Sequence, residues 1–247
     1  MNIARLKAPD TVFIYQMGKV GSTALERALP NAVHMHSLFQ NPPCPVRQDL
    51  HGGGVLSRLR RRISDKAKVS VIRSRPKTKI ISLVRDPLDR NIAMFFQDLH
   101  FWLTAYIQKH PDRMREEGHQ LLIDAFNELF PHKYPCDWFD LELKRLTGID
   151  VFQHPFDKAA GFMAVSQESF EVLLIRTDAL DRLLPELSEF VGFDVVIPSV
   201  NRGDAKWYGE AYRQFKNEYR PPEMMLSLLY ESKFAKHFFT DNGLTID

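Results

Sequence analysis

A lysine, two glycines and two hydroxyl side chains stand together near the start of the chain, in the segment Gly18-Lys19-Val20-Gly21-Ser22-Thr23. The segment follows a short apolar run and precedes a helical pattern. In such an arrangement backbone N–H groups and a lysine can converge on one phosphate or sulfate. We therefore predict an anion-binding loop; the alternative is a plain glycine turn in which Ser22 caps a helix.

This loop differs from the one that nucleoside triphosphatases use. Their loop reads G-x-x-x-x-G-K-[ST], and its final hydroxyl residue binds Mg²⁺. When Gly18 and Lys19 are aligned to its end, Phe13 occupies the place of the first glycine and Val20 that of the hydroxyl residue. Both differences weigh against hydrolysis of ATP or GTP.

An arginine at a strand end is a second candidate for anion binding. Arg85 follows the apolar segment Lys79–Val84 and precedes Asp86-Pro87 and a helical pattern. A guanidinium group there is well placed to hold a second phosphate. The alternative is an ion pair at the start of the helix, such as Arg85–Asp89.

A third segment lies near the end of the chain. Arg202 and Gly203 are followed by Lys206, Trp207 and Tyr208, so that cations, a flexible glycine and stacking rings occur together. Such a loop could close over a nucleotide. The alternative is a polar loop that leads into an ordinary amphipathic helix.

Two histidines, His34 and His36, supply the candidate general bases. Residues two apart on a strand share a face, and imidazole titrates close to neutral pH. We favour His36, which is nearer the end of its predicted strand; hydrogen bonding of either ring to loop backbone is an equal alternative. A zinc site that adds Cys44 and His51 matches no standard ligand spacing, so we predict no metal.

The elements that must position these residues alternate between strands and helices, which predicts an α/β fold with a mainly parallel central sheet flanked by helices. Ligands of such sheets bind at the carboxyl ends of the strands. The loops after the predicted strands should therefore line the site. The predicted strands are Val12–Gln16, Ala32–Leu38, Lys79–Val84 and Phe170–Arg176.

Six helical segments are predicted between and after these strands. They are Gly21–Leu29, one long helix after Arg85 to about 108, His119–Phe130, Asp137–Leu146, about 178–193, and a last helix at the end of the chain.

The composition is that of an ordinary globular protein with 247 residues and a formal net charge of +2, from 33 Lys+Arg and 31 Asp+Glu. Basic residues concentrate between 57 and 79, where an amphipathic helix with a solvated basic face is a better explanation than nucleic-acid binding. Two cysteines make no disulfide framework. We find no signal peptide and no apolar run of membrane-spanning length, and expect a cytoplasmic protein.

Taken together, these residues resemble the sulfotransferases that use 3′-phosphoadenosine 5′-phosphosulfate (PAPS). Lys19–Thr23 is similar to their 5′-phosphosulfate loop, Arg85-Asp86-Pro87 to the start of their 3′-phosphate motif, and Asn201-Arg202-Gly203 to their C-terminal R-x-G loop. The chain resembles still more closely a bacterial, sulfotransferase-like family of capsular polysaccharide synthesis proteins, NKWYS. That likeness is carried by Gln16–Thr23, His34-Met35-His36, and Asn201 with Lys206-Trp207-Tyr208.

The resemblance implies a P-loop-like three-layer domain over residues 1–247, with a basic insertion at about 41–78 and a helical insertion at about 110–157. It implies that Lys19 neutralises the leaving oxygen while the loop Gly18–Thr23 cradles the 5′-phosphosulfate. Arg85 and Arg202 would hold the 3′-phosphate, Gly203 would let its loop fold over the nucleotide, and Trp207 or Tyr208 would supply an adenine contact. The implied reaction is sulfuryl transfer from PAPS to a carbohydrate hydroxyl.

The chain departs from the sulfotransferase pattern at two positions. Ala93 replaces a serine of the 3′-phosphate motif, which removes a hydrogen bond worth about 0.5–3 kcal/mol. Ala24 replaces an aromatic residue that stacks on adenine. These departures leave open a nucleotide-binding protein without transfer activity. A nucleotide kinase is a third and weaker alternative.

Overall fold

The computed structural model describes residues 3–39, 54–113, 118–197 and 206–239. Within them, five strands form one sheet in the order β2-β1-β3-β5-β4. The strands are β1 (Val12–Tyr15), β2 (Ala32–Met35), β3 (Thr78–Val84), β4 (Phe162–Gln167) and β5 (Phe170–Arg176). Strands β2, β1, β3 and β5 are parallel, and β4 pairs antiparallel with β5. The predicted α/β class with a mainly parallel sheet is confirmed.

Strand β3 lies at the centre of the sheet and is covered on both faces. Its consecutive residues Ile80, Ile81, Ser82, Leu83 and Val84 are all fully buried. Because neighbouring side chains of a strand point to opposite faces, helices or loops must pack on each side of the sheet here.

The helices of the first half of the chain connect the parallel strands and extend beyond them. They are α1 (Ile3–Lys7), α2 (Ser22–Ala28), α3 (Val55–Arg73), α4 (Pro87–Gln97), α5 (Leu99–Lys109) and α6 (His119–Leu129).

The helices of the second half are shorter. They are α7 (Tyr134–Trp138), α8 (Lys144–Thr147), α9 (Leu184–Val191), α10 (Gly209–Glu218), α11 (Glu223–Tyr230) and α12 (Lys233–Phe238). Among the described residues, no helix has the length and apolar character needed to cross a membrane.

Several predicted boundaries were wrong. No strand was predicted at β4, a strand at the sheet edge in which only Met163 and Val165 are buried. The predicted strand Ala32–Leu38 ends at Met35. The predicted long helix is broken at Asp98, whose φ of −108° and ψ of 26° are not helical.

Two further predicted helices are interrupted. The segment Asp137–Leu146 passes from α7 through a π-helical turn, Phe139–Leu143, into α8. The segment at about 178–193 begins as a 3₁₀ helix, Thr177–Leu183, before α9. Pro185 explains that second break, because a proline is tolerated in the first turn of an α-helix but not in its interior.

Candidate functional site

A cleft of about 910 Å³ opens at the carboxyl ends of the parallel strands. The loop after β1, the residue after β2 and the residue after β3 all reach it, as the predicted sheet requires. The cleft is lined by Gly18, Lys19, Gly21, Ser22, Thr23, Glu26, His34, His36, Arg85, Ala93, Met94, Gln97, Lys206, Tyr208, Gly209 and Tyr212.

Three successive backbone carbonyls of the loop after β1 are each held by a side chain from another element. Arg90 Nε donates to Gly18 O at 2.9 Å, and Arg85 Nη1 donates to Lys19 O at 3.2 Å. Thr177 Oγ1, just after β5, lies 2.9 Å from Val20 O. These bonds fix the orientation of the loop's peptide groups, so the loop is already ordered before any ligand enters.

The loop backbone is unusual at two positions. Lys19 has a φ of 71°, which is uncommon for a residue with a side chain, and Gly21 has a φ of 92°. A Cβ at Gly21 would also meet Thr177 Cγ2 at 3.2 Å. Glycine is therefore required at position 21 both for its conformation and for the close approach of the residue after β5.

Three cations converge on the cleft. Lys19, Lys206 and Arg85 all line it. Burial, and then the positive charges of Lys206 and Arg85, lower the pKa of Lys19 from its ordinary value of 10.5 to about 8, although Asp98 opposes the shift. The three positive charges repel one another, and an anion bound between them would relieve the repulsion.

The start of α4 fixes Arg85 and Arg90 in different roles. Asp86 caps the helix by accepting a hydrogen bond from Asp89 N at 2.9 Å, and Tyr230 Oη donates to Asp86 at 3.0 Å. Asp89 lies 3.4 Å from Arg85 but 2.8 Å from Lys216, so the predicted alternative ion pair exists and is shared. Arg85 therefore keeps donor capacity for the cleft, and the buried Arg90 supports the loop from behind.

His34 and His36 both line the cleft, with their rings edge to face and 4.2 Å between centroids. His34 Nδ1 contacts Glu26 Oε1, while its Nε2 is buried without a hydrogen-bond partner. Burial, and then His36, lower the pKa of His34 to about 4. Burial also lowers the pKa of His36, helped by Arg90 and Lys19. Both rings are therefore neutral at pH 7, and the low pKa makes His34 a weak base.

His36 is held both through its ring and through its backbone. Its Nδ1 lies 3.0 Å from Gln16 O, which leaves Nε2 as the free nitrogen of this ring. Trp138 Nε1 donates to His36 O at 2.9 Å. The fully buried carboxylate of Glu142 accepts hydrogen bonds from Tyr15 Oη, from Ser37 Oγ at 2.7 Å and from the next two backbone N–H groups. This network fixes the position of His36 at the cleft.

The far side of the cleft is aromatic. Tyr208 and Tyr212 line it and pack against Phe96, with ring centroids 6.0 and 5.3 Å away. Lys206 Nζ lies 5.5 Å from the centroid of the Tyr208 ring. These rings offer stacking surface for a heterocycle, and Ala93 lies in the same lining, where the sulfotransferase pattern has a hydroxyl.

The predicted site residues do not all meet in the cleft. Gly18, Lys19, Gly21, Ser22, Thr23, Arg85 and both histidines do. The Val20 side chain is fully buried, so only its backbone can face a ligand. Trp207 is 76% exposed and lies outside the lining. Arg202 and Gly203, together with Cys44 and His51, lie outside the described residues.

Sequence reasoning did not place five lining residues at the site: Glu26, Met94, Gln97, Gly209 and Tyr212. Lys206, by contrast, belongs to the C-terminal segment that the sequence indicated, where it directly precedes Trp207-Tyr208. Glu26 lies on α2 one turn after the loop. Helical periodicity alone cannot distinguish a side chain at this position that faces the cleft from one that faces bulk solvent. Among the described residues no group of three or more His, Cys, Asp or Glu is arranged to bind a metal ion.

Residues 117–240 match the family model described as "Putative capsular polysaccharide synthesis protein" (NKWYS). No curated protein and no solved structure is detectably similar to the chain. The matched region supplies Lys206, Tyr208 and Tyr212 to the cleft, whereas the loop Gly18–Thr23 and the histidines precede it. Because the match covers just over half of the 247 residues, the chain belongs to the NKWYS family of capsular polysaccharide synthesis proteins.

Proposed function

We propose that the protein is a PAPS-dependent sulfotransferase that modifies a carbohydrate hydroxyl during capsular polysaccharide synthesis. One observation carries the proposal: Lys19, Lys206 and Arg85 converge on an aromatic-walled cleft at the strand ends. A ligand with two separate anionic groups and a flat heterocycle fits this combination, and PAPS has both. The P-loop-like, three-layer assignment of the fold belongs to the same proposal.

The residues of the cleft divide into two groups for such a ligand. The loop Gly18–Thr23 and Lys19 would hold the 5′-phosphosulfate, because its carbonyls are already bound by other side chains and its N–H groups face an anion at lower cost. Arg85 would hold the 3′-phosphate through its remaining guanidinium donors. Tyr208 and Tyr212, rather than Trp207, would contact the adenine.

The transfer step needs a base and a group that stabilises the leaving oxygen. His36 Nε2, left free by the contact of Nδ1 with Gln16 O, would take the proton from the attacking hydroxyl as its oxygen bonds to sulfur. Lys19 would stabilise the phosphate oxygen from which the sulfuryl group departs. Glu26 would fix the tautomer of His34, which stands against His36 as the alternative base.

A second candidate function rests on Ala93. The methyl group of Ala93 lines the cleft at the position where the sulfotransferase pattern supplies a hydroxyl. A chain that binds the nucleotide weakly and transfers nothing would serve as a nucleotide-binding member of the same synthesis machinery.

The experiment is transfer of radiolabelled sulfate from PAPS into a panel of neutral and acidic polysaccharides. We expect incorporation by the wild type and a loss of at least about a hundredfold in Lys19→Ala and in His36→Ala. Lys109→Ala, a change of an exposed lysine that does not line the cleft, is the matched control. Nucleotide binding without incorporation would favour the second candidate, and absence of both would refute the proposal.

A further inference from the structure

The first three turns of α3 extend from the body of the protein. All residues from 54 to 64 are exposed, whereas Asp65 and Ile72 further along the same helix are buried. The later part of α3 contacts α1 and α8. The helix is thus anchored at one end, and its first half presents every side to its surroundings.

An apolar stripe runs along this first half. It consists of Val55, Leu56, Leu59 and Ile63, which are 73%, 73%, 51% and 59% exposed. At 3.6 residues per turn these positions fall on one side of the helix, opposite the side on which Asp65 and Ile72 are buried. The stripe therefore points away from the protein, and nothing in the described part of the chain covers it.

Arginines border the stripe. The helical turn places Arg60 along one edge and Arg62 along the other, while Arg58 and Arg61 lie further round. No acidic residue occurs between 54 and 64. The charge of this segment is thus uniformly positive, in a chain whose formal net charge is only +2.

We propose that this half-helix lies flat on an anionic phospholipid bilayer, with the apolar stripe among the acyl chains and the bordering arginines at the lipid phosphates. An outward apolar stripe flanked by arginines is the pattern of helices that lie in a membrane interface. Pairing with a second copy would bring two arginine-rich segments together and is disfavoured by their repulsion. Nucleic acid would use the arginines but leave the four apolar side chains in water.

The test is flotation of the full-length protein with vesicles of phosphatidylcholine alone and of phosphatidylcholine mixed equally with phosphatidylglycerol. The wild type should float with the mixed vesicles and much less with the neutral ones. Arg60→Gln with Arg62→Gln should weaken binding about 5-fold per arginine, or about 25-fold together. Leu56→Ser with Leu59→Ser and Ile63→Ser should weaken it by at least about tenfold.

Matched controls use exposed residues elsewhere: Arg27→Gln with Arg213→Gln for charge, and Met224→Ser, at an 83% exposed position, for apolar surface. The controls should bind vesicles as the wild type does, and all variants should melt at the same temperature. Equal binding to neutral vesicles, or full binding by the stripe variant, would overturn the proposal. A lower melting temperature of the stripe variant would also overturn it, because the stripe would then pack against the chain itself. Binding of nucleic acid or acidic polysaccharide in place of vesicles would do the same.

Discussion

Replacement of Lys206 by glutamine should weaken the proposed anion binding although the loop Gly18–Thr23 itself stays intact. Lys206 follows that loop by roughly 180 residues in the sequence. It nevertheless lines the same cleft and lowers the pKa of Lys19. Glutamine keeps much of the length of the side chain and removes its charge. The change therefore isolates the electrostatic contribution of one cation.

The size of the effect follows from charge and exposure. Two opposite charges ~4 Å apart attract by ~4 kcal/mol at an effective dielectric constant of ~20. Lys206 is exposed, so solvent screening and the ordering of its side chain offset more than half of that. About 1.5 kcal/mol remains, which corresponds to a dissociation constant that is larger by a factor of roughly ten.

The assay is calorimetric titration with 3′-phosphoadenosine 5′-phosphate (PAP) at low and high salt. Lys109→Gln is the control, because Lys109 pairs with Glu128 and does not line the cleft. We expect the loss in Lys206→Gln to shrink at high salt, since screening weakens exposed charges. The same variant should raise the pKa of Lys19 from about 8 towards 10.5. Wild-type affinity in Lys206→Gln would refute the assignment of this lysine to the anion site.

Three further predictions concern protonation. In sulfuryl transfer, kcat/KM should rise with pH at values below 6.5, because His36 loses its proton there. It should fall again near pH 8, because Lys19 becomes neutral. A pH profile that is flat would contradict both roles. Glu26→Ala should lower kcat about tenfold, because the contact with Glu26 no longer fixes the tautomer of His34. The affinity for PAP should stay within about twofold, because no cation is removed. An unchanged kcat would mean that the contact between Glu26 and His34 has only a structural role. Burial lowers the pKa of His132 to about 4 from 6.5, so the folded state resists protonation and its stability is lost as pH falls from 6.5 towards 4. His132 should account for about 2 kcal/mol of the stability that urea unfolding loses between pH ~7 and pH ~5, so the loss should be about 2 kcal/mol smaller in His132→Gln.

The parts of the fold that could be predicted are those whose burial leaves a mark in the sequence. Strand β5 was predicted with its observed bounds, Phe170–Arg176, and β3 to within one residue, because both are nearly continuous apolar runs. Strand β4 was missed because an antiparallel edge strand needs little apolar surface, and Asp98 breaks a helix whose apolar pattern continues past it.

The site was predictable where the chemistry is local. Lys19 and the loop around it are adjacent in sequence, and the two-residue spacing of His34 and His36 is enough to bring both to the cleft. Lys206 and Glu142 act only through long-range contacts, to Lys19 and to the segment after His36, and a single sequence carries no measure of such distances. The exposed position of Trp207 is likewise decided by the packing of Tyr208 against Phe96.

The central claim is that the cleft binds a nucleotide with a 3′-phosphate, and comparison of PAP with AMP tests it directly, because the two ligands differ only in that group. The account predicts that PAP binds at least about tenfold more tightly than AMP, and that Arg85→Ala abolishes the difference while Arg85→Lys retains part of it. Equal affinities for PAP and AMP, or binding of ATP alone, would contradict the account.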